Sequence, residues 1–151
     1  MKRYVAMALL VLAGVLAGAQ SGAGPTIVKP MALKWDPFMP GIELAVLSGD
    51  PAKAGFYAIR LRFADGTKIA PHWHPEDEHV TVLRGGFAAG MGDKFDDAAL
   101  QDLPPGSYVL MPKNMHHFAK ATGQTVVQLD GQGPFVMNYV NPEDDPAKAK
   151  K

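Results

Sequence analysis

The chain is 151 residues long, balances 15 Lys and Arg against 15 Asp and Glu, and contains no cysteine. That length holds one domain around a single core. The even charge, with no basic stripe, excludes binding to a nucleic-acid backbone, and the missing thiol excludes disulfides and any thiolate site.

The first stretch, "MKRYVAMALLVLAGVLAGAQ", starts basic at Lys2 and Arg3, runs apolar from Tyr4 to Leu16 and reaches small residues at Ala17, Gly18 and Ala19. This order predicts a signal peptide over residues 1–19. The apolar run is too short to span a bilayer comfortably, which argues against an uncleaved anchor. The mature protein is therefore expected in the periplasm or outside the cell, with no membrane contact after signal removal. Taking Lys2 and Arg3 from the 15 bases leaves 13 against 15 acids, a net charge of −2. Without disulfides its stability has to come from a packed core, with a metal or a partner subunit as further sources.

Residues 20–41 are rich in Gly and Pro and show little periodicity, so they read as an irregular arm. The pattern then changes to period two. In "FYAIRLRF", Tyr57, Ile59, Leu61 and Phe63 alternate with Arg60 and Arg62, the mark of a half-buried strand. Short apolar runs follow at 78–83, 87–91, 108–111, 115–119, 125–129 and 135–140, separated by "RGG", "LPPG", "PKN", "ATGQ" and "DGQG". Many short strands at this spacing predict an all-β sandwich or barrel over 42–141. "DKFDDAALQD", 93–102, allows one helical turn within a loop. Residues 142–151, "NPEDDPAKAKK" from Asn141 onward, carry charge and no apolar face, and read as a flexible tail.

All five histidines lie in two stretches, "APHWHPEDEHVTVLRGG" and "MPKNMHHFAK". On an extended backbone His72 and His74 leave from one face, with Trp73 opposite. Glu78 has the same parity, and a turn at "PED" would bring it back on a neighbouring strand facing the same interior. Two imidazoles and a carboxylate suit zinc, iron, manganese, nickel or copper better than calcium. Glu76 and Asp77 read as solvated loop acids. His79, in phase with Thr81 and Leu83, reads as a satisfied polar residue pointing away from that interior.

These residues carry a family resemblance. Gly66, five residues, His72, one residue, His74, three residues, Glu78, six residues, Gly85 resembles the first cupin motif without a gap. Gly106, five residues to Pro112, then Asn114 and His117 resembles the second, with Asn114 in the usual glycine place and Ala121 where an asparagine often stands. Asparagine is the residue after glycine that best tolerates positive φ. The resemblance covers Gly41 to Val140 and implies a single-domain jelly-roll β-barrel holding one divalent transition metal ion through His72, His74, Glu78 and His117. The motif spacing favours His117 over His116, and strand alternation agrees that only one of the pair faces inward. Tyr57, Met91 and Met111 are expected to give a mostly dry lining.

Proteins that this chain resembles include dioxygenases, isomerases, decarboxylases and non-catalytic binders. The expected partner is thus a small organic molecule. The reading is a metal-dependent, oxygenase-like enzyme of an enol or dicarbonyl compound, with a non-catalytic binder of metal or small molecules as the alternative. Glu78 completes a four-ligand set and weighs against a purely structural barrel. A homodimer is also expected, with the arm from Thr26 to Met39 lying across the partner sheet.

Overall fold

The structure, a computed structural model, describes residues 24–148; the signal peptide expected over 1–19 lies outside them. Nine strands occur among the described residues: β1 (Asp36–Met39), β2 (Ile42–Ser48), β3 (Gly55–Phe63), β4 (Lys68–Trp73), β5 (Glu78–Met91), β6 (Gln101–Leu103), β7 (Tyr108–Met111), β8 (His117–Gly133) and β9 (Asn138–Tyr139). Only 3-10 turns interrupt them, at Pro30–Ala32, Asp97–Ala99 and Pro142–Asp144. The molecule is all-β, as the alternation predicts.

The alternation in β3 translates directly into burial. Tyr57, Ile59, Leu61 and Phe63 are all buried, while Arg62 on the other face pairs with Glu43 at 2.6 Å and lies over the Trp35 ring at 4.5 Å. The strands run in the order β1-β2-β3-β8-β4-β9, and β5 pairs with β6, β7 and β8. Every pairing is antiparallel.

The closing element is the ribbon of β5 and β8. It pairs from Glu78↔Gly131 to Met91↔His117, with its register shifting around Arg84 and Gly86. The sequence suggests two short strands on each side, separated at "RGG" and "ATGQ". In the structure those segments are bends inside continuous strands. Gly85 has φ +80°, and the Thr125 hydroxyl donates to the Gly86 carbonyl at 2.9 Å. A bent strand can serve both halves of a barrel, so Val80, Val82, Val127 and Leu129 fill one half of the core while Phe87, Ala89, Ala119 and Ala121 fill the other. The result is the jelly roll.

Three segments differ from the sequence reading. The arm contributes β1, which pairs with β2, itself an unflagged strand. Its short run of alternation is masked by the Pro and Gly around it. Of the run 135–140 only Asn138–Tyr139 forms a strand, against β4. At the start of the tail Pro142–Asp144 forms a 3-10 turn capped by Asn141, whose side chain accepts from the Glu143 N–H at 3.2 Å. The helical turn in 93–102 is present at Asp97–Ala99, capped by Asp96.

The two glycines of the first motif, Gly66 and Gly85, have different roles. A Cβ on Gly85 would stand 2.6 Å from the Gln124 carbonyl and 2.7 Å from the Thr125 Cα, whereas one on Gly66 (φ +74°) would meet nothing within 4 Å. Gly66→Ala is therefore expected to cost about 1 kcal/mol, from left-handed backbone alone. Gly85→Ala adds a backbone clash and should cost about 3 kcal/mol or more. Urea unfolding of the two variants checks this, and equal losses would mean the bend tolerates a side chain.

Candidate metal centre

Strand pairing brings the two histidine stretches together. His72 in β4 is in register with His117, the first residue of β8, and with Tyr139 of β9. His74 follows the end of β4, and Glu78 opens β5. All four side chains are buried. The ring centroids lie 4.2 Å apart for His72 and His117, 5.0 Å for His72 and His74, and 5.4 Å for His74 and His117. One ring nitrogen from each lies within 4.8 Å of the other two, so the three histidines could hold a metal ion. Glu78 sits between two of them, with Oε1 3.5 Å from His74 Nε2 and Oε2 3.5 Å from His117 Nε2.

The remaining nitrogens fix the tautomers. His72 Nδ1 lies 2.8 Å from the Ala70 carbonyl, His74 Nδ1 2.7 Å from that of Val136, and His117 Nδ1 2.9 Å from that of Met115. A carbonyl only accepts, so each Nδ1 is the donor, and a neutral ring then presents a bare lone pair at Nε2. His74 Nε2 and His117 Nε2 are buried without a hydrogen-bond partner. An unsatisfied buried polar atom costs about 1–3 kcal/mol. Two of them aimed at one point beside a carboxylate fit a cation, and the donor set of three nitrogens and one carboxylate fits a divalent transition ion.

Electrostatics act the same way. Burial pushes His72 down to about 3, helped by His117 and His74 beside it, and burial likewise holds His74 below its ordinary value. His72 and His74 therefore stay neutral, the form that donates to metal. Burial, followed by the Glu78 and Asp130 carboxylates, pushes the Tyr57 hydroxyl up, so it remains a proton-bearing phenol at the edge of the site.

The turn between Pro112 and His117 is latched onto the first histidine stretch. Asn114 donates its N–H to the His74 carbonyl at 2.8 Å, and Asp77 accepts from the Lys113 N–H at 2.8 Å. Asn114 has φ 63°, the one non-glycine residue with positive φ among those described, as its place in the motif implies. Asp77 is more than the solvated acid that the sequence suggests. Its aspartate type signals backbone capping, but the partner is 36 residues away and invisible to local reading.

His79 and His116 are where alternation puts them, outside. His79 hydrogen-bonds the Tyr108 hydroxyl at 2.6 Å, and His116 pairs with Asp93 at 2.6 Å. Phe118, beside His116 in sequence, is buried against Phe95 of the 93–102 loop, with ring centroids 4.9 Å apart. Tyr57 and Met111 are buried as expected, but Met91 is 48% exposed, because β5 ends there at the surface. Val80, Phe87, Ala119 and Met111 are the apolar side of a cavity of about 30 Å³ whose polar side is His72, Glu78 and His117.

Comparison with known proteins agrees with this fold. The chain is 29% identical to germin-like protein 1 of Brassica napus over 71% of its own length, and it spans 60% of the length of that curated relative. Its fold is similar to that of the polyketide cyclase RemF from Streptomyces resistomycificus (TM-score 0.66, 17% identity, 83% of this chain and 92% of that one). It is also similar to KdgF from Halomonas sp. (TM-score 0.58, 21% identity, 74% and 96%). A salicylate 1,2-dioxygenase from Pseudoaminobacter salicylatoxidans in complex with gentisate shares the fold over 63% of this chain and 26% of its own (TM-score 0.52, 17% identity). The family model described as the ChrR cupin-like domain matches residues 23–136, a span that contains both histidine stretches, and the chain belongs to that cupin family.

Proposed function

We propose that His72, His74, Glu78 and His117 hold one divalent transition ion in an exported protein, and that the centre acts on a small enol or dicarbonyl compound in an oxygenase-like reaction. The observation that carries this reading is the pair of buried, partnerless Nε2 atoms facing Glu78, each on a ring whose other nitrogen is already committed to a carbonyl. Export is supported by the basic start, apolar run and small residues of 1–19. A bound divalent ion would supply Lewis acidity toward a substrate oxygen. The chain's own residues do the rest. The three carbonyl bonds hold the rings in one orientation and one tautomer, and Val80, Phe87 and Met111 keep water away. Fold neighbours whose names describe a dioxygenase and a polyketide cyclase are consistent with oxygen-rich organic substrates.

One observation favours a second reading, metal holding without turnover. The cavity at the centre, about 30 Å³, admits an ion or one water and no organic molecule. Oxygen uptake by iron-loaded protein with small enols and diketones decides between the two: uptake supports the enzyme, and none across the panel supports the binder.

Metal content tests both together. The wild type should hold close to one transition ion per chain; His74→Ala and His117→Ala should lose most of it, and His79→Ala and His116→Ala should retain it within the 10- to 100-fold affinity change, roughly, of an outer residue. Equal metal content in His74→Ala and His79→Ala would sink the assignment. Loss in His116→Ala with retention in His117→Ala would put the inward face of β8 one residue out.

The metal-free protein should also lose stability on acidification. His72 is held at about 3 against an ordinary 6.5, so between those values the unfolded chain takes up a proton that the folded one refuses. Folded stability from this ring is complete above pH 6.5 and falls by about 1.4 kcal/mol per pH unit below it. His74, shifted the same way, adds to the slope. Urea midpoints of chelator-treated protein should be flat above neutrality and drop from pH 6.5 to pH 4.5; a midpoint that holds steady over that range would show that the buried rings are already charged.

A further inference from the structure

A groove of about 620 Å³ runs along the outside of the metal centre, between β1 and the segment that follows β8. Phe38, Met39, Phe135, Met137 and Tyr139 line it, and Asp145 is its one charged side chain. Small-molecule sites span roughly 300–1,000 Å³. The groove is of that size, whereas the cavity beside Glu78 is not.

Two aromatic rings belong to the groove and touch the centre. Phe135 stacks on His74, with centroids 5.1 Å apart and planes 20° apart, and Tyr139 stands 6.2 Å from His72. The groove therefore ends on the back of two histidine rings, separated from the ion position by one half-buried phenylalanine. Phe135 is held there by its N–H bond to the Pro51 carbonyl at 2.7 Å and by the rings of Tyr57 and Phe38.

The walls select a ligand. Aromatic rings with methionine sulfur beside them favour a flat, unsaturated group, and the lone Asp145 carboxylate disfavours an anion. The Tyr139 hydroxyl donates only to Met39 Sδ, at 3.3 Å. Sulfur is a weak acceptor, so a ligand oxygen can take that proton in its place.

We propose that this groove is the organic-ligand site of the protein and takes a neutral, aromatic-bearing enol or dicarbonyl, its ring between Phe38 and Phe135 and an oxygen on the Tyr139 hydroxyl. Phe135 separates this ligand from the metal centre and limits the size of the group that can reach it. The assignment rests on the metal reading for its chemistry, but the groove can be tested without metal.

Benzoylacetone, acetylacetone and benzoate are suitable probes, titrated into metal-free and zinc-loaded full-length protein and followed by amide NMR shifts. Benzoylacetone should shift the amides of Phe38, Met39, Asp145, Ala147 and residues 135–139 in both forms. It should bind about tenfold more tightly than acetylacetone, which lacks the ring. Phe38→Ala, at a side chain 38% exposed and outside the core, should remove that preference while acetylacetone affinity stays unchanged. Shifts confined to other surfaces, no saturable binding, or benzoate binding as tightly as benzoylacetone would each overturn the proposal. Zinc content measured on the same samples keeps the two readings apart: a chain that takes no zinc counts against the metal centre alone, while unshifted groove amides count against the groove whatever the metal content.

Discussion

A buried imidazole has two nitrogens to satisfy, and three of them packed within 4.2–5.4 Å of one another cannot satisfy all six from within their own group. The fold settles three by placing a backbone carbonyl against each Nδ1. Two of those carbonyls, of Ala70 and Met115, lie two residues before the histidine they orient, so each is supplied by the histidine's own local segment. The third, of Val136, comes from 62 residues away. The segment after β8 therefore has to cross the end of β4, and its pairing as β9 with His72 and Trp73 is how it stays there. The Nε2 atoms are left for something that the chain's own donors and acceptors do not provide.

The same requirement explains why the longest elements are β5 and β8. Glu78 and His117 stand at the first residues of those strands, and the ribbon between them is bent so that its two ends return to the same region. A straight ribbon would hold the carboxylate and the third imidazole apart by the length of the strand. The bend depends on close backbone approach at Gly85 and on the fully buried Thr125, whose hydroxyl donates to the Gly86 carbonyl at 2.9 Å and has the Thr122 and Gly123 carbonyls within 3.3 Å. Positions far from the histidine cluster thereby decide whether Glu78 and His117 meet.

Much of this was legible in the chain itself. Period-two alternation located β3, the start of β5 and β7, and put His72 and His74 on one face, because side-chain direction along a strand is a local property; the resemblance to the two motifs supplied Glu78 and the choice of His117 over His116, with which alternation agrees. What alternation cannot report is continuity. A glycine pair such as Gly85 and Gly86 reads equally well as a reversal or as a bend, and only contact with Gln124 and Thr125 distinguishes them. Long-range capping is hidden for the same reason, as the Asp77 latch to Lys113 shows. Exposure at a strand end is hidden too: Met91 shares its pleat with inward residues yet lies at the rim.

The small cavity and the outer groove follow from these constraints. Filling the barrel with Ile59, Leu61, Phe63 and Phe87 stabilises a chain that has no disulfides, and it leaves room for little more than an ion beside the ligands. The segment that supplies the Val136 carbonyl to His74 also carries Phe135, Met137 and Tyr139 along the groove. One stretch of chain thus orients His74 through the Val136 carbonyl on its inner side and lines the groove with Phe135, Met137 and Tyr139 on its outer side.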